Sequence, residues 1–223
     1  MQKQFKLEGK CLFCGEISAK ADINKHLSTH LSELSKSGQA GKSFLVQVTA
    51  EPIPHFLNLW IDGEAEMETI DKFLRDIWLD CCGHLSEFEG NVGAKKAGSV
   101  FKKGKQLSYE YDFGSPTRLF LTVVDEYPVK ADKKIVLLSR NEPIDLMCST
   151  CKKAPAIQIC SVCQYEQYAL FCNKCAPKHA KKCEDFADYA AMPVVNSPRM
   201  GVCRYTGGSI DKERDGVFQL KQS

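Results

Sequence analysis

Four C-x2-C pairs mark this 223-residue chain: Cys11 with Cys14, Cys148 with Cys151, Cys160 with Cys163, and Cys172 with Cys175. His26 and His30 follow the first pair, giving C-x2-C-x11-H-x3-H. The other three run on into His179 and Cys183, giving C-x2-C-x8-C-x2-C-x8-C-x2-C-x3-H-x3-C. Thiols three positions apart can point at one centre, and histidines four apart share a helix face, so each stretch offers thiolate and imidazole to a common cation. Zinc takes such donors tetrahedrally. The first set suits one closed site and the eight later ligands suit two, about three zinc ions per chain. A catalytic zinc keeps a position open for water and a general base beside it, and neither H-E-x-x-H nor H-x-E with P-C-x-x-C occurs. The sites therefore read as structural, with no catalytic residue and no organic-cofactor motif recognised. A disulfide framework is the competing use of twelve cysteines. The metal-ligand spacing, and an opening stretch MQKQFKLEGKCLF without the apolar core of a secretory leader, favour zinc in a cytoplasmic protein.

The first set resembles a Cys-Cys-His-His zinc finger. Ile17 and Ile23 stand where such a finger keeps its small apolar core, with Ile23 three residues before His26. The finger resemblance places Ala19, Asp22 and Lys25 at base-reading positions. Neither Ala19 nor Asp22 can make the bidentate contacts that read purines, so DNA reading is not expected. Leu27, Leu31 and Leu34 extend an apolar stripe beyond the finger, which predicts docking on the main core. The later set resembles the cross-brace zinc modules of the MYND and B-box type. That resemblance implies that Cys148, Cys151, Cys172 and Cys175 share one ion while Cys160, Cys163, His179 and Cys183 share the other.

Cys81, Cys82, His84 and Cys203 lie outside these sets. His84 with Cys81 and Cys82 could make a nucleophile or a fourth metal set, but cysteine is among the most often buried residues, so Cys81 and Cys82 are expected in the core and Cys203 as a buried free thiol, with substitution for one of the eight ligands as its alternative use.

The elements that must position these ligands follow from the apolar pattern. Residues 1–36 form the finger with a helical extension, and KSGQAGKS at 36–43 reads as a flexible link. FLVQVT at 44–49, FLNLWI at 56–61, LSYEYDF at 107–113, LFLTVV at 119–124 and KIVLL at 134–138 read as strands of a domain over 42–140. Period-2 alternation places Tyr109, Tyr111 and Phe113 on one sheet face. Met67, Ile70, Phe73, Leu74, Ile77 and Trp78 recur at helical spacing, predicting one helix on that sheet. The segment 90–105 carries Lys95, Lys96, Lys102, Lys103 and Lys105 and reads as an exposed loop. The two-zinc module spans 146–186, and 187–223 forms a strap with a charged tail from Ile210. The fold class is α+β, a central sheet-and-helix domain flanked by small zinc-binding modules.

FLVQVT, RDIWLD at 75–80, GHLSEFEG at 83–90, LSYEYDFG at 107–114 and LFLTVV occur in an order that resembles the plasmid pRiA4b ORF-three-like family of transposon-passenger, TnpR-type proteins, over about 42–128. The resemblance implies a compact α+β domain and little about activity. Ser115 to Leu119 depart from the acid, aromatic and histidine that often follow the turn in that family.

A formal net charge of +2 does not imply a polyanion partner, and no apolar run is long enough for a membrane span. The leading expectation is a non-enzymatic zinc-binding interaction or adaptor protein whose partner is another protein. One alternative is a nucleic-acid-binding protein of mobile-element or regulatory origin, using the loop lysines and Lys174, Lys178, Lys181 and Lys182. The other is an enzyme with a cleft in the central domain.

Overall fold

The computed structural model describes residues 7–165 and 169–208; the expected charged tail from Ile210 lies outside them. In chain order the elements are β1 (Glu8–Cys11), β2 (Ile17–Ala19), α1 (Lys20–Leu34), β3 (Ala40–Ala50), β4 (Phe56–Asp62) and α2 (Met67–Leu74). A π-helical turn (Arg75–Leu79) follows, then β5 (Ser86–Phe88), α3 (Ala97–Val100), β6 (Gln106–Tyr111), β7 (Thr117–Val129) and β8 (Ile135–Asn141). The last part holds β9 (Gln158–Cys160), β10 (Leu170–Phe171), α4 (Ala176–Ala180) and β11 (Ala191–Pro193). Two compact units result, residues 1–74 with 85–144, and residues 75–84 with 145–223. The architecture is α+β, as the strand and helix patterns predict.

The first unit is an eight-stranded sheet in the order β2-β1-β8-β4-β3-β7-β6-β5, with antiparallel pairing throughout. Every residue of β4 is buried, the pattern of a strand covered on both faces. Leu45 and Trp60, paired across β3 and β4, join Phe56, Tyr127, Val129 and Leu138 in a core with Ile23, Leu27 and Leu31 of α1. On β3 the adjacent Phe44 points the other way, meeting Phe101 edge to face at 5.5 Å. Asn24 fixes α1 over the sheet, its Oδ1 accepting from Asn58 Nδ2 at 2.5 Å and Gln47 Nε2 at 3.3 Å. Of the expected stripe, Leu27 and Leu31 are thus an integral part of the sheet core, while Leu34 is 38% exposed. Each fully buried Ile or Leu of α1 contributes about 1.5–3 kcal/mol.

The structure differs from the sequence expectations at particular places. The expected link at 36–43 is strand from Ala40 onward, and β1 pairs with β8, so the finger extends the central sheet. Ile17 is 53% exposed, because Ile23 has the sheet to pack against. The expected single helix stops at Leu74 and continues as the π-helical turn. Tyr109 OH donates to Asp71 Oδ1 at 2.7 Å, tying α2 to β6. Phe113 lies beyond β6 and is half exposed, since the chain leaves the strand at Asp112, whose φ is +64°. The lysine segment is anchored through Val92, Ala97, Val100 and Phe101, all buried.

The second unit has a three-stranded sheet, β10-β9-β11, and a buried cluster built around its cysteines. That cluster is Cys148, Cys160, Cys172 and Cys175 with Ala169, Ala176, Ala190, Phe171 and Phe186, while Trp78, Leu79, Ile159, Met192 and Tyr205 are buried elsewhere in the same unit. Residues 191–208 then carry a strap: β11 pairs with β9, and Ser197 Oγ donates to the Trp78 carbonyl at 2.6 Å. Among the described residues, no helix is long and apolar enough to cross a membrane.

Candidate metal centres

Cys11, Cys14, His26 and His30 bring one ligand atom each to within 4.8 Å of all the others. The knuckle between β1 and β2 supplies the thiols: Gly15 N–H donates to the Cys11 carbonyl at 2.8 Å, and Gly15 takes the φ of +80° that closes the turn. α1 supplies His26 and His30 one turn apart, flanking the buried Ile23 and Leu27 on the same side of the helix. Their Nε2 atoms are 3.2 Å apart, and His26 Nε2 is 3.3 Å from Cys14 Sγ. His26 Nδ1 faces Glu16 Oε2 at 3.6 Å, a carboxylate behind the ring that orients its other nitrogen toward the thiols.

In the second unit the eight donors divide into two sets of the same compactness, Cys148, Cys151, Cys172 and Cys175, and Cys160, Cys163, His179 and Cys183. Lys152, directly after Cys151, has φ +56° and donates its N–H to the Cys148 carbonyl at 3.0 Å, repeating the turn seen at Gly15. Cys175 begins α4, which places His179 above it, and the following turn returns Cys183 N–H to the His179 carbonyl at 2.9 Å. His179 stacks on Phe171 with centroids 4.1 Å apart and meets Phe186 edge to face at 4.9 Å. Its buried Nε2 has no hydrogen-bond partner among the described residues. A ring nitrogen left this way beside thiols fits a metal ligand.

The separations test the fit to a tetrahedral cation. Bonds of about 2.3 Å to sulfur and 2.0–2.1 Å to nitrogen make tetrahedral edges of about 3.8 Å between sulfurs, 3.6 Å between sulfur and nitrogen, and 3.3 Å between nitrogens. Cys151 and Cys172 are 3.8 Å apart, as are Cys163 and Cys183. A disulfide needs about 2.05 Å, so these are not crosslinks, and all twelve cysteines are free. Two thiols of the four-thiol set are pushed in opposite directions. For Cys148 burial raises the thiol, but N–H donors from Cys151, Cys172 and Thr150 outweigh it and bring it to about 6. Loss of water, then the neighbouring thiols of Cys172, Cys148 and Cys151, push Cys175 up to about 12. A bare cluster ionises unevenly, because negative sulfurs this close repel.

A fourth group collects the residues set aside in the sequence: Cys81, Cys82, His84 and Cys203, again within 4.8 Å of one another. The expectation of burial is corrected here: Cys81 is half-buried, while Cys82 and Cys203 are exposed. Nor does Cys203 substitute for any of the eight ligands, since its neighbours are Cys82 and His84. These residues carry no spacing signal, because one donor comes from 119 positions away. What could have found them is that three thiols remained unassigned, with His84 two residues from Cys82.

Hollows also lie on the central sheet. One of about 540 Å³ is lined by Glu87, Glu89, Glu110, Arg118 and aromatic residues, with no histidine or cysteine. Arg118 Nε holds Glu110 at 2.7 Å, and Ser108 Oγ donates to Glu89 at 2.7 Å. His55 is fully buried with its Nδ1 3.1 Å from the Ile53 carbonyl, and burial holds its pKa down to about 3. It is a core histidine.

No family model matches the chain, and no curated protein matches it. Among solved structures it is similar to the protein of unknown function MM3350 from Methanosarcina mazei Go1, at 15% identity and a TM-score of 0.38, over 45% of this chain and 68% of that one.

Proposed function

We propose that this chain is a zinc-stabilised, non-enzymatic interaction protein, with zinc in the three sets led by Cys11, Cys148 and Cys160. Thiolate and imidazole are the donors zinc prefers, and four per set leave no position for a reacting water. Thiolates in such numbers suit a reducing, cytoplasmic setting. The central sheet is proposed as a relative of the pRiA4b ORF-three-like family, on the motifs given above.

The observation that carries the interaction reading is the exposure of apolar side chains beside the ligands. Leu12 and Phe13, between Cys11 and Cys14, are 46% and 41% exposed; Val162, between Cys160 and Cys163, is 39% exposed, with Tyr165 at 75% and Tyr189 at 49%. A metal knuckle holds such residues rigidly outward, which lowers the entropy lost when a partner covers them. The partner this fits is another protein. A photo-crosslinking residue at position 13 or 165 in native cells should give a discrete adduct absent from an exposed control at Lys36. No adduct from either position contradicts the reading.

Nucleic-acid binding has one specific support, the exposed Lys174, Lys178, Lys181 and Lys182 around α4. The other lysine cluster is partly neutralised, Lys96 by Glu64 at 2.5 Å and Lys103 by Asp125 at 2.8 Å. Affinity for RNA or DNA that falls steeply with salt would favour this second reading over the first.

A further inference from the structure

Cys81, Cys82, His84 and Cys203 have the dimensions of a metal site. Cys81 and Cys82 Sγ are 3.8 Å apart, Cys82 and Cys203 Sγ 3.5 Å. His84 Nε2 is 3.1 Å from Cys82 Sγ and 3.3 Å from Cys203 Sγ. These lie within about 0.5 Å of the edges of a zinc tetrahedron. We propose that they form a fourth zinc site, of Cys3His type, that fastens the strap 191–208 to the turn at 80–84. The proposal rests on the zinc reading of the other three.

Both segments are shaped before the ligands meet. Asp80 N–H donates to the Arg75 carbonyl at 2.9 Å, and its Oδ1 accepts from Gly83 N–H at 2.8 Å, folding Cys81 to His84 into a tight turn with Gly83 at φ +80°. Across from it, Ser197 Oγ holds the Trp78 carbonyl and accepts from Arg199 N–H at 3.0 Å. Gln164 Nε2 donates to the Gly201 carbonyl, and Val202 N–H to the Arg199 carbonyl at 3.2 Å. Cys203 and Arg204 then take φ values of +50° and +56°. Non-glycine residues resist that region, at about 1–3 kcal/mol each, so the surroundings must hold them there. What the conformation achieves is to bring the Cys203 sulfur to Cys82 and His84.

Charge is consistent with zinc. Three thiolates, a neutral imidazole and a divalent cation sum to one negative charge, which is costly next to a protein interior. The fully buried Arg199 directs Nη2 to Cys81 Sγ at 3.7 Å and supplies the opposite charge there. The site also differs from its neighbours. Cys82 and Cys203 are exposed, whereas Cys148, Cys160, Cys172 and Cys175 are buried, so a chelator reaches this ion first and the strap comes loose before the rest of the unit.

Zinc content of the purified full chain, prepared without chelators, tests this, alongside Cys203→Ser and His84→Ala. Four ions per chain in the parent and three in each variant are expected, one for each donor group. A parent with three that the variants leave unchanged overturns the fourth site and leaves the other three standing; a parent with fewer than two overturns the zinc reading itself. A parent with four and variants with four place the last ion elsewhere and also overturn the proposal. Should the variants fold poorly, cobalt titration of the parent decides. A fourth equivalent that adds thiolate-to-cobalt absorption while protecting Cys81, Cys82 and Cys203 from alkylation supports the site; saturation at three with those thiols still reactive overturns it.

Discussion

The sheet unit and the cysteine-rich unit both gather metal ligands, but they differ in what the metal replaces. In the sheet unit, Ile23, Leu27 and Leu31 lie against Trp60, Phe56 and Leu138, and β1 is hydrogen-bonded to β8. Of the knuckle, Cys11 enters that core, but beside nine buried residues that are not candidate ligands. In the other unit, four of the core residues are themselves the ligands Cys148, Cys160, Cys172 and Cys175. Without metal that cluster would be a crowd of thiols around Phe171 and Phe186, so the segments that carry it are expected to depend on metal for their order. The same spacing motif therefore serves two roles, and only the surroundings distinguish them.

Substituting Cys160→Ser should have the largest effect. Structural zinc contributes on the order of 10 kcal/mol to small modules, so residues 145–208 should become protease-sensitive while β3, β4 and β7 stay resistant. A next-largest effect is acid. His55 is held neutral by burial, its pKa down at about 3 against the ordinary histidine value of about 6.5. The unfolded chain binds the proton first, so stability is full above about pH 6.5 and falls as pH drops toward 3, by about 1.4 kcal/mol per unit and on the order of 5 kcal/mol in all. In His55→Phe that slope in denaturant titrations of the sheet unit should disappear. Leu27→Ala should lower the stability of the sheet unit by about 2–5 kcal/mol, and His30→Ala by less although it removes a ligand. The reverse order in urea melts would erase the contrast between the units. Smallest of all, Phe13→Ser should change stability by less than about 0.5 kcal/mol, yet abolish any adduct formed from that surface.

Local chemistry was the legible part of the sequence. The three sets led by Cys11, Cys148 and Cys160 were readable because each ligand pair lies within one turn, where spacing alone dictates approach. Strands such as 44–49 and 56–61 were readable from their apolar runs, since a buried strand needs no more. Pairing between distant strands was not: nothing in β1 announces β8, and the exposure of Ile17 follows from that pairing. Likewise the meeting of Cys203 with His84 depends on Ser197, Arg199 and two left-handed residues acting together. Single-residue tendencies point elsewhere, toward burial for any cysteine.

Amide hydrogen exchange of the full chain before and after metal removal at neutral pH reads the contrast most directly. Stripped of metal, residues 145–165 and 169–208 should exchange as an unfolded chain, while β3, β4, β7 and β8 keep the protection of the metal-loaded protein. Loss of protection in the sheet to the same extent, or its retention in the cysteine-rich unit, would contradict the claim that metal is the core of one unit and an accessory of the other.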